Sequence, residues 1–290
     1  MVRHILITIT TLTILSATVI NIPADYSTIQ EGINVSTEGD TVLVAQGNYI
    51  ENLVLEKEIV LASHAIYDDL GSDWTSNEHV ANTRIMGGSP TNSKKGSCIQ
   101  VSYGNIQPTI MGFTVSNGVG TSMVVDDCGV SRTERSGGAI MAFQAYPILS
   151  HNRFMNNGVS MFDEENAAQA IQNGGAITLY DDDDVEFDED RNSSGRNTSS
   201  SREVPDTWIV QNNYFENNSS GNGENFYAHG FTGTIDVSGS IFEDIDCEHS
   251  EVNEFVLHSV EDEAEYLTNE ISGDCLDQNV FFVNPSSGDD

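Results

Sequence analysis

The densest set of reactive groups in the chain is Asp181-Asp-Asp-Asp-Val-Glu186-Phe-Asp188-Glu-Asp190, eight carboxylates within ten residues. Hard carboxylate oxygens suit Ca2+, which takes about six to eight oxygen ligands. Asp181, Asp182, Asp183, Asp184, Glu186 and Asp188 are the candidate ligands, and Ca2+ is the one cofactor suggested. The run lacks the alternating Asp/Asn-then-Gly spacing of an EF-hand, and contiguous carboxylates commonly form a solvated loop. A second set is aromatic and cationic. Tyr180, Trp208, Tyr214 and Tyr227 fall on or beside apolar stretches that read as strands, and Arg153 holds the position in one segment that Tyr214 holds in a related one. Outward-facing rings can stack on sugars, so Arg153, Trp208 and Tyr214 are the candidate carbohydrate-binding residues. A hydrolase needs two carboxylates on adjacent strands of one face. Asp206, Asp236, Glu243 and Asp244 are available, but no two of them share a repeat offset. The chain has no Gly-x-Ser-x-Gly elbow and no His-x-x-x-His or His-Glu-x-x-His pattern. Its seven histidines stand singly.

The elements that must position these groups are legible as a repeat. Gly137-Gly-Ala-Ile140 and Gly174-Gly-Ala-Ile177 are each followed by an apolar stretch and an Asn/Phe cluster. The clusters are Ile148-Leu-Ser-His-Asn152-Arg-Phe154-Met-Asn156-Asn157 and Ile209-Val-Gln-Asn-Asn213-Tyr-Phe215-Glu-Asn217-Asn218. Looser copies run from Ile110 through Phe113 to Asn117 and from Val237 through Phe242 to Asp244. A unit of this size cannot bury its own apolar face, so neighbouring copies must stack. At a strand spacing of ~4.8 Å like residues then lie on like. Phe154 and Phe215 are expected in an interior aromatic stack, and Asn152 and Asn213 in an amide ladder at a turn. Strand alternation turns Arg153 and Tyr214 outward. Two insertions, Gly118–Ser136 and Asp181–Pro205, interrupt the repeat, and long loops of this kind commonly carry function.

Composition narrows the partners. Eleven Lys+Arg against 45 Asp+Glu give a formal charge of −34, which repels phosphate backbones and anionic lipid and excludes a nucleic-acid-binding role. With 38% apolar residues the chain can still fill a core. Arg3 and His4, the apolar run Ile5–Leu15 and Ser16-Ala17 read as a secretory signal cleaved near Ala17, too short to span a bilayer. Export would permit the disulfides Cys98–Cys128 and Cys247–Cys275, with free buried thiols the alternative. Ser27 and Gln30 form a capping-box pattern opening a short helix with Ile29 and Ile33 on its apolar side. Gly39-Asp40 reads as a turn, and Thr41–Ala45, Leu53–Leu55 and Glu58–Ala62 as strands. The helix would cover the open end of the stack. From Cys247 the text turns acidic, with helical character over Val252–Leu267. The resulting division is residues 1–17 signal, 18–246 repeat domain, 247–279 acidic segment, and 280–290 the start of a further module.

The stretch Ile22-Pro-Ala-Asp25-Tyr-Ser-Thr-Ile-Gln30, then Gly39-Asp-Thr-Val-Leu-Val44, then Gly47-Asn-Tyr-Ile-Glu-Asn52 resembles the N-terminal cap and first coils of secreted right-handed parallel β-helix proteins of the pectin-lyase-like superfamily. The Gly-Gly-Ala-Ile pairs, with Phe154–Asn157 and Phe215–Asn218, resemble repeats of polymorphic outer-membrane autotransporter passenger domains. Val280–Asp290 resembles the phrase that opens a further β-helix region in such proteins. The resemblance implies an all-β, single-stranded right-handed parallel β-helix with a short N-terminal capping helix, secreted or at the cell surface. It leaves two functions open. One is a non-catalytic module for adhesion or for carbohydrate or cation binding, with polysaccharide or cell-surface glycan as partner. The other is a polysaccharide-active enzyme, a calcium-assisted lyase or a glycoside hydrolase, on acidic polysaccharide.

Overall fold

A computed structural model of the chain describes residues 17–90, 92, 94–127, 130–159, 171–181, 185–187, 202–243, 255–258 and 265–273. The described residues are mostly β, with a few short helices, and the main sheets are parallel. The chain visits three faces in rotation. The first face holds Val19–Ile22, Thr41–Val44, Val60–Ser63, Thr109–Met111 and Ile148–Ser150. The second runs from Gly47–Ile50 through Thr83–Met86, Thr114–Ser116, Arg153–Met155, Tyr214–Glu216 and Ile241–Phe242 to Ser272–Gly273. The third runs from Leu53–Leu55 through Ile99–Ile106, Ile140–Ala145, Ile177–Tyr180 and Phe226–His229 to Phe255–His258. A separate parallel sheet, Thr207–Ile209, Thr234–Asp236 and Glu265–Leu267, takes the first-face place in the later coils. Where it meets Ile148–Ser150, the Trp208 indole N–H donates to Pro147 O at 2.8 Å.

Like residues stack on like along the inside. On the second face Ile85, Val115, Phe154, Phe215 and Phe242 follow one another in register, all with no exposed surface. The Phe154 and Phe215 rings stack at 5.3 Å, and Phe215 and Phe242 at 4.7 Å. Burial of each such side chain contributes about 1.5–3 kcal/mol. The amide ladder also forms. Asn152 N and Nδ2 donate to Asn213 Oδ1 at 3.0 and 3.2 Å, while Asn152 Oδ1 accepts from Phe113 N at 3.1 Å. Ser240 ends it, its hydroxyl accepting from Asn213 N. Asn157 and Asn218 build a second ladder on the same plan at the next corner. Gly138 and Gly175 sit where coils approach most closely: a Cβ on Gly138 would fall on the Gly175 carbonyl, and one on Gly175 on the Glu224 carbonyl. This is why the Gly-Gly-Ala-Ile phrase recurs.

The N-terminal end is closed by the helix Ile29–Val35, with Ile29 and Ile33 buried. Its cap is Thr28 with Glu31, one residue later than the Ser27/Gln30 pattern suggested. Gln30 has other work: its amide accepts from Val54 N and donates to Val54 O, pairing the edge of the third face as a further strand would. Glu51 accepts from Ile29 N and Gln30 N at the helix start, and Lys57 Nζ donates to the carbonyls of Ile33, Asn34 and Ser36 at its end. Both signs complement the helix dipole.

Two further expectations change. The helical character over Val252–Leu267 gives way to strands Phe255–His258 and Glu265–Leu267, each pairing parallel to the preceding coil. Cys98 is a free buried thiol that donates to Ser116 O at 3.2 Å, pushed up to about 12 by burial. Of the two alternatives read from sequence, Cys98 takes the free buried thiol rather than a bridge to Cys128; Cys128, Cys247 and Cys275 lie outside the described residues.

The insertions combine into one additional sheet. Gly120–Asp127 and Val130–Ser136 form an antiparallel hairpin, flanked by Ile171–Asn173, Val185–Phe187 and Lys95–Gly96.

Candidate functional site

Alternation along Arg153–Met155 and Tyr214–Glu216 buries the central phenylalanines and turns the flanking residues outward. One outer column on the second face therefore reads Asn48, Arg84, Thr114, Arg153, Tyr214 and Ile241, and the adjacent one Ile50, Met86, Ser116, Met155 and Glu216. Glu243, one residue past the Phe215–Phe242 pair, continues the second column; its N–H donates to Phe215 O at 2.9 Å. Glu216 and Glu243 thus stand at equal offsets on adjacent coils.

Tyr214 is the centre of this patch. The Arg153 guanidinium lies over its ring at 5.3 Å, a cation–π geometry, and its hydroxyl donates to Glu216 Oε2 at 3.2 Å. Partial burial, then the carboxylates of Glu216 and Glu243, push the phenol up to about 12, with Arg153 opposing. Arg153 Nε is shielded from solvent and has no hydrogen-bond partner. The excursion holding His64–Tyr67, Trp74–Ser76 and the helix Glu78–Asn82 walls one side. Thr114 Oγ1 donates to Val80 O at 3.0 Å, and Tyr214 and Leu70 pack against Ala65, Trp74 and Val80. Trp74 meets His151 edge-on at 5.3 Å, and burial holds that imidazole below its usual range. The patch offers a half-buried ring face, one guanidinium and two carboxylates.

The third face carries similar residue types in a different state. Met141, Phe143, Tyr180 and Tyr227 turn outward there, and the hairpin lays Met123 and Val125 over them. Glu134, only 1% exposed, accepts from Tyr180 OH at 2.6 Å, Asn173 Nδ2 at 2.7 Å and Arg132 Nε at 2.8 Å. Ser136 Oγ reaches the same phenol at 2.9 Å. Burial, then the Glu134 charge, hold Tyr180 well above the usual phenol range, so it remains a neutral donor. Both oxygens of this carboxylate are engaged.

Of the residues singled out from sequence, the structure brings Arg153 and Tyr214 together. Trp208 is a correction: it is 1% exposed, faces the core in register with Ile235, and spends its N–H on Pro147. A buried indole cannot meet a sugar. Tyr180 and Tyr227 are likewise covered. Asp181 follows a third-face strand, its N–H donating to His229 O at 2.7 Å. Glu186 lies in Val185–Phe187, whose backbone pairs with Met123–Val125. Asp182, Asp183, Asp184 and Asp188 lie outside the described residues. Among the described residues no three His, Cys, Asp or Glu side chains converge as a metal cage. Arg202 pairs with Glu38 and Glu58 at 3.2 and 3.1 Å. Glu216 was not among the sequence candidates, although the signal is there: Phe215-Glu216 repeats as Phe242-Glu243. Glu134 had no such signal, because it lies in an insertion and its buried partners, Asn173 and Tyr180, lie in a coil of the repeat.

No helix among the described residues is long and apolar enough to cross a membrane. No protein-family model matches the chain, and no curated protein matches it. Solved structures similar to it include two of a pectin methylesterase from Aspergillus niger. One, in deglycosylated form, is 17% identical over 92% of this chain and 89% of that chain, with a TM-score of 0.35. The other, in penultimately deglycosylated form, has the same identity and coverage and a TM-score of 0.34.

Proposed function

We propose that this chain is an exported β-helix module, right-handed and closed as one continuous coil, that binds glycan on the outer surface of its second face. Right-handed crossovers are the rule between parallel strands, and the apolar run Ile5–Leu15 after Arg3 supports export. The observation that carries the binding reading is the in-register Arg153–Tyr214 pair, an aromatic platform with a guanidinium beside it on an otherwise acidic molecule. A sugar stacked on Tyr214 would exchange hydroxyl hydrogen bonds with Arg153 and Glu216. The run Asp181–Asp188 offers the all-carboxylate donor set that Ca2+ takes, and bound Ca2+ would offset the charge that otherwise repels an acidic glycan. The test is calorimetric titration of the whole chain with neutral and uronic-acid oligosaccharides, with and without Ca2+. Binding that Tyr214→Ala weakens at least tenfold supports the reading; full binding in that variant refutes it.

One observation favours a catalytic reading. Glu216 and Glu243 lie on adjacent coils, ~4.8 Å apart along the sheet, and a retaining glycosidase holds its two carboxyls about 5–5.5 Å apart. One would protonate the leaving oxygen and the other attack the anomeric carbon. New reducing ends that vanish in both Glu216→Gln and Glu243→Gln, with binding retained, would establish hydrolysis. Unsaturated products dependent on Ca2+ would instead indicate a lyase.

A further inference from the structure

The excursion between the first-face strand Val60–Ser63 and the second-face strand Thr83–Met86, which walls one side of the patch, brings together two histidines at its two ends. The His64 and His79 ring centroids lie 5.8 Å apart, tilted by 36°. His79 is held rigidly. Its Nδ1 is 2.7 Å from Asp68 Oδ2, and the same oxygen accepts from Asn77 Nδ2 at 2.9 Å. Asn77 is itself fixed as the cap of the helix Glu78–Asn82, its Oδ1 accepting from His79 N and Val80 N. Asp68 Oδ2, itself positioned by Asn77, therefore fixes the orientation of the His79 ring. With Nδ1 committed, Nε2 of His79 is the nitrogen left to act.

We propose that His64 and His79 bind a borderline divalent metal ion of the Zn2+ type, with Asp68 orienting His79 for it. Zinc–imidazole bonds are about 2.0–2.1 Å, which puts each ring centroid about 3.2 Å from the metal. Two rings at a tetrahedral angle then have centroids about 5.2 Å apart, against the observed 5.8 Å. A carboxylate on the far nitrogen of a metal-binding histidine is the usual arrangement, fixing tautomer and orientation. The His79 side chain is 36% exposed and that of Asp68 28%, so an ion can enter from solvent. No three His, Cys, Asp or Glu side chains converge among the described residues, and water completes the coordination. The formal charge of −34 raises the local cation concentration but selects no particular metal. Selection comes from the nitrogen donors, which Ca2+ and Mg2+ avoid.

The test is titration of the full chain with Zn2+ in excess Ca2+, which occupies surface carboxylates, followed by imidazole 15N NMR. Expected is one saturable Zn2+ site that shifts the His64 and His79 ring nitrogens and is lost in His64→Ala and in His79→Ala. Asp68→Asn should weaken it about 10–100-fold. If His79→Ala disturbs the helix, His79→Asn, whose amide can stand in for Nδ1 toward Asp68, must also lose the ion. Saturable binding unchanged in all of these variants, or no Zn2+ bound in the presence of Ca2+, would overturn the proposal.

Discussion

The outer surfaces of the second and third faces use the same vocabulary. Each has a tyrosine bonded to a glutamate, an arginine beside it and methionine in the next column. On the third face the hairpin Gly120–Asp127/Val130–Ser136 covers them, Glu134 is saturated by three donors, and Tyr180 is fully buried. On the second face the excursion from His64 to Asn82 stops short, so Tyr214, Arg153, Glu216 and Met155 remain only partly covered. The lesson is that residue type does not separate a structural polar cluster from a binding patch on a stacked-coil protein. What separates them is whether an insertion closes over the column.

The largest contrast should appear on removing the carboxylates. Glu134→Ala strands two buried donors, Tyr180 OH and Asn173 Nδ2, at about 1–3 kcal/mol each, whereas Glu216→Ala, at a partly exposed site, should stay within about 0.5 kcal/mol. Urea denaturation of both variants checks this, and equal losses would erase the distinction. A smaller contrast follows from the phenols. Tyr180→Phe leaves Glu134 short of one donor, for about 1–3 kcal/mol, while Tyr214→Phe should be nearly neutral to stability. The smallest effect is spectroscopic. In alkali the Tyr214 absorbance should change near the value of about 12 set by its surroundings, while Tyr180 should ionise only on unfolding. The sign is that of groups raised on folding: the stability they contribute is complete below the unfolded phenol value of about 10 and is lost as pH climbs through the folded values. Co-titration of both tyrosines would show the third face to be open.

The repeat was legible wherever two coils share an offset, because stacking at a fixed spacing forces equivalent residues into contact. Phe154 on Phe215 and Asn152 on Asn213 follow from that alone. Trp208 was placed wrongly because its counterpart at the same offset is Pro147, which shows no side-chain alternation to read; the pair is instead linked by the indole hydrogen bond. Val252–Leu267 misled for a different reason. Short apolar stretches do not declare helix or strand by periodicity, and the exposed edge of Phe226–His229 decides the matter by offering a parallel partner. Glu134 and Tyr180 join segments with no common offset, brought together by the coil geometry, and His64 meets His79 by the folding of a single excursion that has no counterpart in the repeat.

The seven methionines include reporters on both outer surfaces: Met86 and Met155 on the second face, Met123 on the inner side of the hairpin and Met141 beneath it on the third. Methyl-labelled methionine NMR during titration with neutral and uronic-acid oligosaccharides therefore reads both at once. Shifts at Met155, extending to Met86, with Met123 and Met141 unmoved, are the expected result. Shifts at Met123 and Met141 with Met155 silent, or no methyl shift with any oligosaccharide, would contradict the assignment of the open patch as the binding surface.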